Sequence, residues 1–213
     1  MPLELVDKFD IRSGENQSIW VDVYIPANAS AGLYQGLVSI SEAGERTREI
    51  PVELTVRDFT LPDVPTSKTM LFLGYADINM RYVGETYPQE ASKLATSRLV
   101  RDRHFQMAHR HRVSLIDSNA GDDNVDKPSE EWIARLDGSL FSSAQGYDGP
   151  GRDQGNGVFI AGNYGNWSWK GQGEAAMRQH SDAWESWFNA IAPEVERALY
   201  LVDEPSFEQL AQL

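Results

Sequence analysis

The stretch ALYLVDEPSFEQL, residues 198–210, drives an apolar run into two adjacent carboxylates and a proline, Asp203-Glu204-Pro205. Ala198 to Val202 is a short continuous apolar segment of the kind that lies buried in a parallel sheet, where both faces are covered. Pro205 cannot donate to a ladder, and Ser206 followed three residues later by Gln209 is a capping-box pattern, with Phe207, Leu210 and Leu213 at helical spacing. A buried strand that ends in carboxylates and passes directly into a helix is part of a βα unit. In barrels built from such units, that end of the strands holds the active site. Two carboxyl groups this close resist double ionisation, which leaves a proton donor beside a persistent anion, the pair that glycoside chemistry uses. The same residues also suit a structural role, because negative charge at a helix N-terminus is favoured by the macrodipole.

The pattern repeats upstream. MLFLGY at residues 70–75 and VSLI at 113–116 are further short apolar runs, and helical segments are expected from about Gln89 to Arg112 and from about Glu174 to Ile191. Buried strands alternating with helices predict parallel βαβ units over residues 69–213. Three or four such units fit there, against a typical ~250 residues for a complete barrel, so the expectation is the N-terminal half of a truncated (β/α)8 TIM-type barrel.

Residues 1–57 read differently. In SIWVDVYIP, Ile19, Val21, Val23 and Ile25 alternate with Trp20, Asp22 and Tyr24, and in EIPVELTV Ile50, Val52, Leu54 and Val56 alternate with Pro51, Glu53 and Thr55. GLYQGLVSI between them is a third strand, entered through the turn-forming PANASAG, and Pro51 marks an edge position. Strands of this length with short turns predict a partial antiparallel β-sandwich over residues 1–57. The prolines of residues 58–68 then make a linker.

Composition narrows the function classes. Of the 213 residues 41% are apolar and 24% charged, so the chain can build a core. With 32 acidic against 19 basic side chains, the net charge of −13 argues against a phosphate backbone, whose contacts are supplied by Lys and Arg, and no nucleic acid is expected as partner. No stretch approaches the roughly 18 consecutive apolar residues of a membrane span. The absence of cysteine excludes disulfides, thiolate nucleophiles and cysteine metal sites. MPLELVDKFD carries no charged segment followed by an apolar one, so no signal peptide is visible in it, and it already reads as a strand without lead-in, as expected if an upstream part is missing.

Three strings, IWVDVYIPANASAGLYQGLVSI, LDGSLFSSAQGYDGPGRDQGNGVFIAGNYG and LYLVDEPS, together resemble glycoside hydrolase family 123 and its wider relatives. The resemblance implies a β-sandwich ahead of a (β/α)8 barrel, an extracytoplasmic setting, and hydrolysis of β-linked N-acetylgalactosamine with help from the substrate. Carried onto this chain, it implies that Asp203 orients and stabilises the 2-acetamido group as its oxygen attacks the anomeric carbon. Glu204 then protonates the leaving oxygen and later activates water. A carbohydrate is the implied partner and no cofactor is required. The alternative is a non-catalytic carbohydrate-binding or scaffold protein of the same shape. No oligomeric state is indicated.

Two other segments offer candidates. From Gly146 to Trp169 seven glycines are interleaved with aromatic residues, among them Tyr147, Tyr164, Trp167 and Trp169, whose flat rings suit the apolar face of a pyranose. Ordinary packing at the mouth of the sheet is the competing reading for any single ring. RLVRDRHFQMAHRHR is the one basic cluster of the chain. His109 and His111 stand two apart and share no helix face, so no metal is expected, but their closeness to VSLI makes both candidates for substrate contact. The competing reading pairs the cluster with neighbouring acids and the helix C-terminus.

Overall fold

The alternating segments GLYQGLVSI and EIPVELTV pair as a hairpin in a computed structural model, which describes residues 8–42, 47–117, 126–162 and 164–210. The chain divides into two units, residues 1–61 and 62–213. In the first, β1 (Gly32–Ser41) and β2 (Thr47–Val56) run antiparallel, with Gly32 opposite Val56 and Ser41 opposite Thr47. Along the second half of β2, half-buried Val52, Leu54 and Val56 alternate with exposed Glu53 and Thr55, as the pleat requires.

Of the expected sandwich, the described residues show one antiparallel pair of strands. Residues 18–26 join no ladder among the described residues, and Ile19, Val21, Val23 and Ile25 are exposed along with Trp20 and Tyr24. A period of two marks a segment fit to be half of a sheet, but the ladder needs a partner with free N–H and C=O groups in register. Among the described residues the unit therefore shows one two-stranded sheet and no second sheet facing it.

The second unit alternates short strands with helices. β3 (Leu71–Leu73) is followed by α1 (Tyr75–Val83) and α2 (Ala91–Arg110), then by β4 (Leu115–Asp117) and α3 (Glu131–Leu136). β5 (Val158–Ala161), α4 (Glu174–Ile191), β6 (Glu196–Leu199) and the single turn α5 (Phe207–Leu210) complete the order. β3 pairs parallel with β4, and β5 parallel with β6. No ladder joins the two pairs among the described residues, so the architecture is α/β with short parallel sheets and no closed barrel. Side chains link the entry ends of the strands instead. Asn156 Nδ2 donates to the Leu115 carbonyl at 3.0 Å, and Lys68 Nζ to that of Gly157 at 3.4 Å.

Helical spacing decides which face each helix buries. Ser97, Arg101, Phe105 and Ala108 form the covered stripe of α2, and Phe188 with Trp184, Trp187 and Ile191 that of α4. They close on Ile116, Trp132, Phe141 and Phe159. Trp132 stands edge-on to both Phe105 and Phe159, at 5.5 and 4.8 Å between centroids, the offset geometry that aromatic quadrupoles favour. Among these rings lies a buried charge. Arg135 is fully buried beneath the Phe105 ring and donates to Tyr75 Oη at 2.9 Å, Glu131 at 2.8 Å and Asp102 at 3.2 Å. A guanidinium in such a place is tolerated only because carboxylates meet it. The same Glu131 also pairs with Arg98 and Arg101, and Arg110 pairs with Asp148, so much of the basic cluster on α2 is spent on neighbouring acids.

Candidate active site

β6 stops at Leu199 because its partner stops: Tyr200 N–H makes the last rung to the Ala161 carbonyl at 2.9 Å, and Gly162, at φ +85°, turns the β5 chain away. Beyond that rung, Leu201 to Pro205 form the exit turn. Asp203 and Glu204 are both exposed on it, and Glu204 occupies the left-handed region at φ +43°, a conformation that L residues adopt at a cost of about 1–2 kcal/mol. The turn is terminated by the reciprocal cap expected from the sequence. Gln209 Oε1 accepts from Ser206 N–H at 2.8 Å, and Ser206 Oγ accepts from Gln209 N–H at 3.3 Å.

The glycine-rich aromatic segment lies against this turn. A Cβ at Gly165 would come within 2.8 Å of Val202 Cα and 3.3 Å of Asp203 N, and one at Gly162 within 3.4 Å of the Tyr200 carbonyl. Only a residue without a side chain allows that approach. Lys170 ties the two strands of backbone together: its ammonium donates to the Gly165 carbonyl at 2.5 Å and reaches the Leu201 carbonyl at 3.5 Å, while lying 4.8 Å from the Trp167 ring centroid. Trp167 meets Trp169 edge-on at 5.9 Å. Tyr164 stacks on Phe72 of β3 at 5.0 Å, and 53% of Tyr164 remains open to solvent. The exit ends of β3, β5 and β6 thus bring Phe72, Tyr164, Trp167 and the Asp203-Glu204 pair into one region.

Among the rings expected at a sugar subsite, Trp169 is buried and packs near His180, with centroids 6.1 Å apart, so it backs Trp167 from behind. Tyr147 is also buried. Its hydroxyl donates to the Pro150 carbonyl at 2.6 Å, its ring meets Phe141 and His109, and burial pushes its phenol up. His109 lies flat on Phe141, with centroids 3.8 Å apart and planes 9° apart, and its Nε2 faces the Gly151 carbonyl at 3.0 Å. A carbonyl only accepts, so Nε2 carries the proton. Burial lowers the His109 pKa from its ordinary 6.5 and leaves the ring neutral. His111 is exposed just past the last turn of α2. Both histidines precede β4, on the side where the strands enter, whereas Asp203 and Glu204 follow the exit of β6. Tyr147, His109 and His111 are not brought to the carboxylates.

Two residues that pattern reasoning passed over act on this region. Tyr200 donates its hydroxyl to Asp203 Oδ1 at 2.5 Å, and Lys170 clamps the aromatic loop. Tyr200 was visible only as one more apolar residue of ALYLV, and a lone lysine among tryptophans carries no spacing signal. Neighbouring carboxylates exposed on a turn, one of them oriented by a phenol, beside a loop of aromatic rings, can present hydrogen-bond acceptors to a polar ligand with an apolar face.

Comparison with known proteins bears on the first unit. No match was found among curated proteins or solved structures. Residues 1–42 match a family described as the glycoside hydrolase 123 N-terminal domain, so this part of the chain is similar to the domain that opens those glycoside hydrolases.

Proposed function

We propose that the protein is a glycoside hydrolase acting on β-linked N-acetylhexosamine of the N-acetylgalactosamine type, by a substrate-assisted mechanism that retains anomeric configuration. The observation that carries this reading is the Asp203-Glu204 pair at the exit of a parallel strand, against an aromatic loop, in a chain whose first 42 residues match a glycoside hydrolase domain. The accompanying fold reading is a β-sandwich ahead of a (β/α)8-type barrel, with β3 to β6 as barrel strands. It is supported by the parallel pairing within β3-β4 and β5-β6 and by the position of the carboxylates.

In this mechanism the substrate's 2-acetamido oxygen attacks the anomeric carbon as the bond to the leaving oxygen breaks. Asp203 accepts the acetamido N–H and stabilises the oxazolinium charge that develops. Glu204 transfers its proton to the leaving oxygen, and its carboxylate then removes a proton from the water that reopens the ring at the anomeric carbon. Tyr164 and Trp167 offer the apolar face of the sugar a platform, backed by Phe72 and Trp169.

The purified protein should release the chromophore from an N-acetyl-β-galactosaminide. Glu204→Gln should lower the rate by ~10² to 10⁴ on a substrate with a poor leaving group and by much less where the leaving group needs no proton. Equal losses on both would remove Glu204 as the acid. Saturable binding of acetamido sugars without any turnover would replace the hydrolase by a carbohydrate-binding protein.

A further inference from the structure

Asp203 acts on a substrate amide only if its carboxylate is held in one orientation, and on an exposed turn nothing in its own backbone provides that. The Tyr200 hydroxyl does so, three residues earlier, donating to Oδ1 at 2.5 Å. That separation is the range of charge-assisted O–H···O⁻ bonds, shorter and stronger than neutral ones. The donor is itself fixed. The Tyr200 ring lies nearly parallel to Phe72 of β3, with centroids 6.2 Å and planes 18° apart, and 6.3 Å from the ring of Tyr164. Its backbone N–H closes the last rung of the β5-β6 ladder. The hydrogen bond to Asp203 pushes the Tyr200 phenol up, so the hydroxyl keeps its proton, and hence its role as donor, across the neutral range.

We propose that Tyr200 is a positioning residue for Asp203: locked by Phe72, Tyr164 and the ladder, it engages Oδ1 and leaves Oδ2 as the oxygen that receives the 2-acetamido N–H of the substrate. The proposal rests on the hydrolase reading above for its chemistry but not for its geometry. A carboxylate has two oxygens with about four lone-pair sites, so engaging one oxygen restricts rotation of the group without removing its capacity to accept a second donor. Phe72 and Tyr164 thereby acquire a role besides contact with sugar, since they set where the phenol can reach.

Two measurements on the full chain test this. The first needs no activity. With tyrosine carrying ¹³C at the phenol carbon, and the Tyr200 resonance assigned by its loss in Tyr200→Phe, its titration should move to lower pH in Asp203→Asn. The other tyrosines should stay in place. A Tyr200 titration unchanged by Asp203→Asn would overturn the contact.

The second measurement is a double-mutant cycle on an N-acetyl-β-galactosaminide. Tyr200→Phe keeps the ring and should lower kcat about tenfold while KM changes little, as expected for one hydrogen bond to a charged group. In the Asp203→Asn background the same change should have no further effect. A merely structural tyrosine would give additive losses in the cycle, which would overturn the positioning role. Absence of turnover in the unmodified protein would instead overturn the hydrolase reading and the catalytic meaning of Tyr200, with the titration still deciding the contact.

Discussion

His109 shows at the scale of one residue how a candidate for substrate contact is separated from a packing residue. Its ring rests on Phe141 and its Nε2–H is satisfied by Gly151, so protonating it would place a second N–H donor, and a charge, in a largely covered site. Burial lowers the folded-state pKa below the ordinary 6.5 of the unfolded chain. The unfolded state therefore binds the proton more readily, and the stability contributed by neutral His109 is complete above pH 6.5 and lost as pH falls through the window below it. Denaturant unfolding at pH 7.5 and pH 5 should show a loss for the natural chain that His109→Gln lacks. The difference should be on the order of 1 kcal/mol, reduced by the solvent that still reaches the ring. Identical pH dependence in both proteins would contradict the buried neutral ring. In the sequence His109 was one member of an Arg/His-rich helix, and nothing in the spacing told which member would turn under Phe141. Asp203 and Glu204 were legible for a different reason, because strand, proline and capping box fix the direction of the chain on both sides of them.

At the scale of elements, what could be read followed from local chemistry, and what could not depended on partners distant in sequence. α4 runs from Glu174 to Ile191, the span that its apolar spacing predicts, and the Ser206/Gln209 cap is present as written. β6 begins two residues before the apolar run ALYLV and ends at Leu199, because its length is set by β5, which turns away at Gly162. β5 itself was hidden: VFIA is four residues between glycines, in a stretch that reads as irregular loop. The close approach of that loop to the carboxylate turn gives a prediction at this scale. Gly165→Ala would add both the strain of φ +77° and a Cβ 2.8 Å from Val202 Cα, whereas Gly171→Ala at φ +76° meets nothing within 4 Å. Both should lose about 1–2 kcal/mol to backbone strain, and Gly165→Ala should lose more and also lower turnover. Thermal unfolding and kcat for the two variants check this. Equal stability and activity would mean that the loop does not set the turn.

At the scale of the whole molecule, the sequence made the α/β character of residues 62–213 legible, since short apolar runs alternating with helices leave few other solutions. It did not foretell that, among the described residues, Asn156 and Lys68 would join β3-β4 and β5-β6 at their entry ends in place of a continuous ladder, because single polar side chains carry no periodicity. For residues 18–26 the alternation gave the capacity for a strand and no partner among the described residues. The function proposed for the molecule depends on the substrate supplying its own nucleophile, and that requirement is tested by changing one substituent of the sugar. Initial rates should be measured side by side on a chromogenic N-acetyl-β-galactosaminide and on the galactoside that differs from it only at the 2-position. Substrate assistance predicts turnover of the first and a rate on the second lower by ~10² or more, with no covalent adduct on the protein. Comparable rates on the two sugars, or a glycosyl group trapped on Asp203, would contradict it.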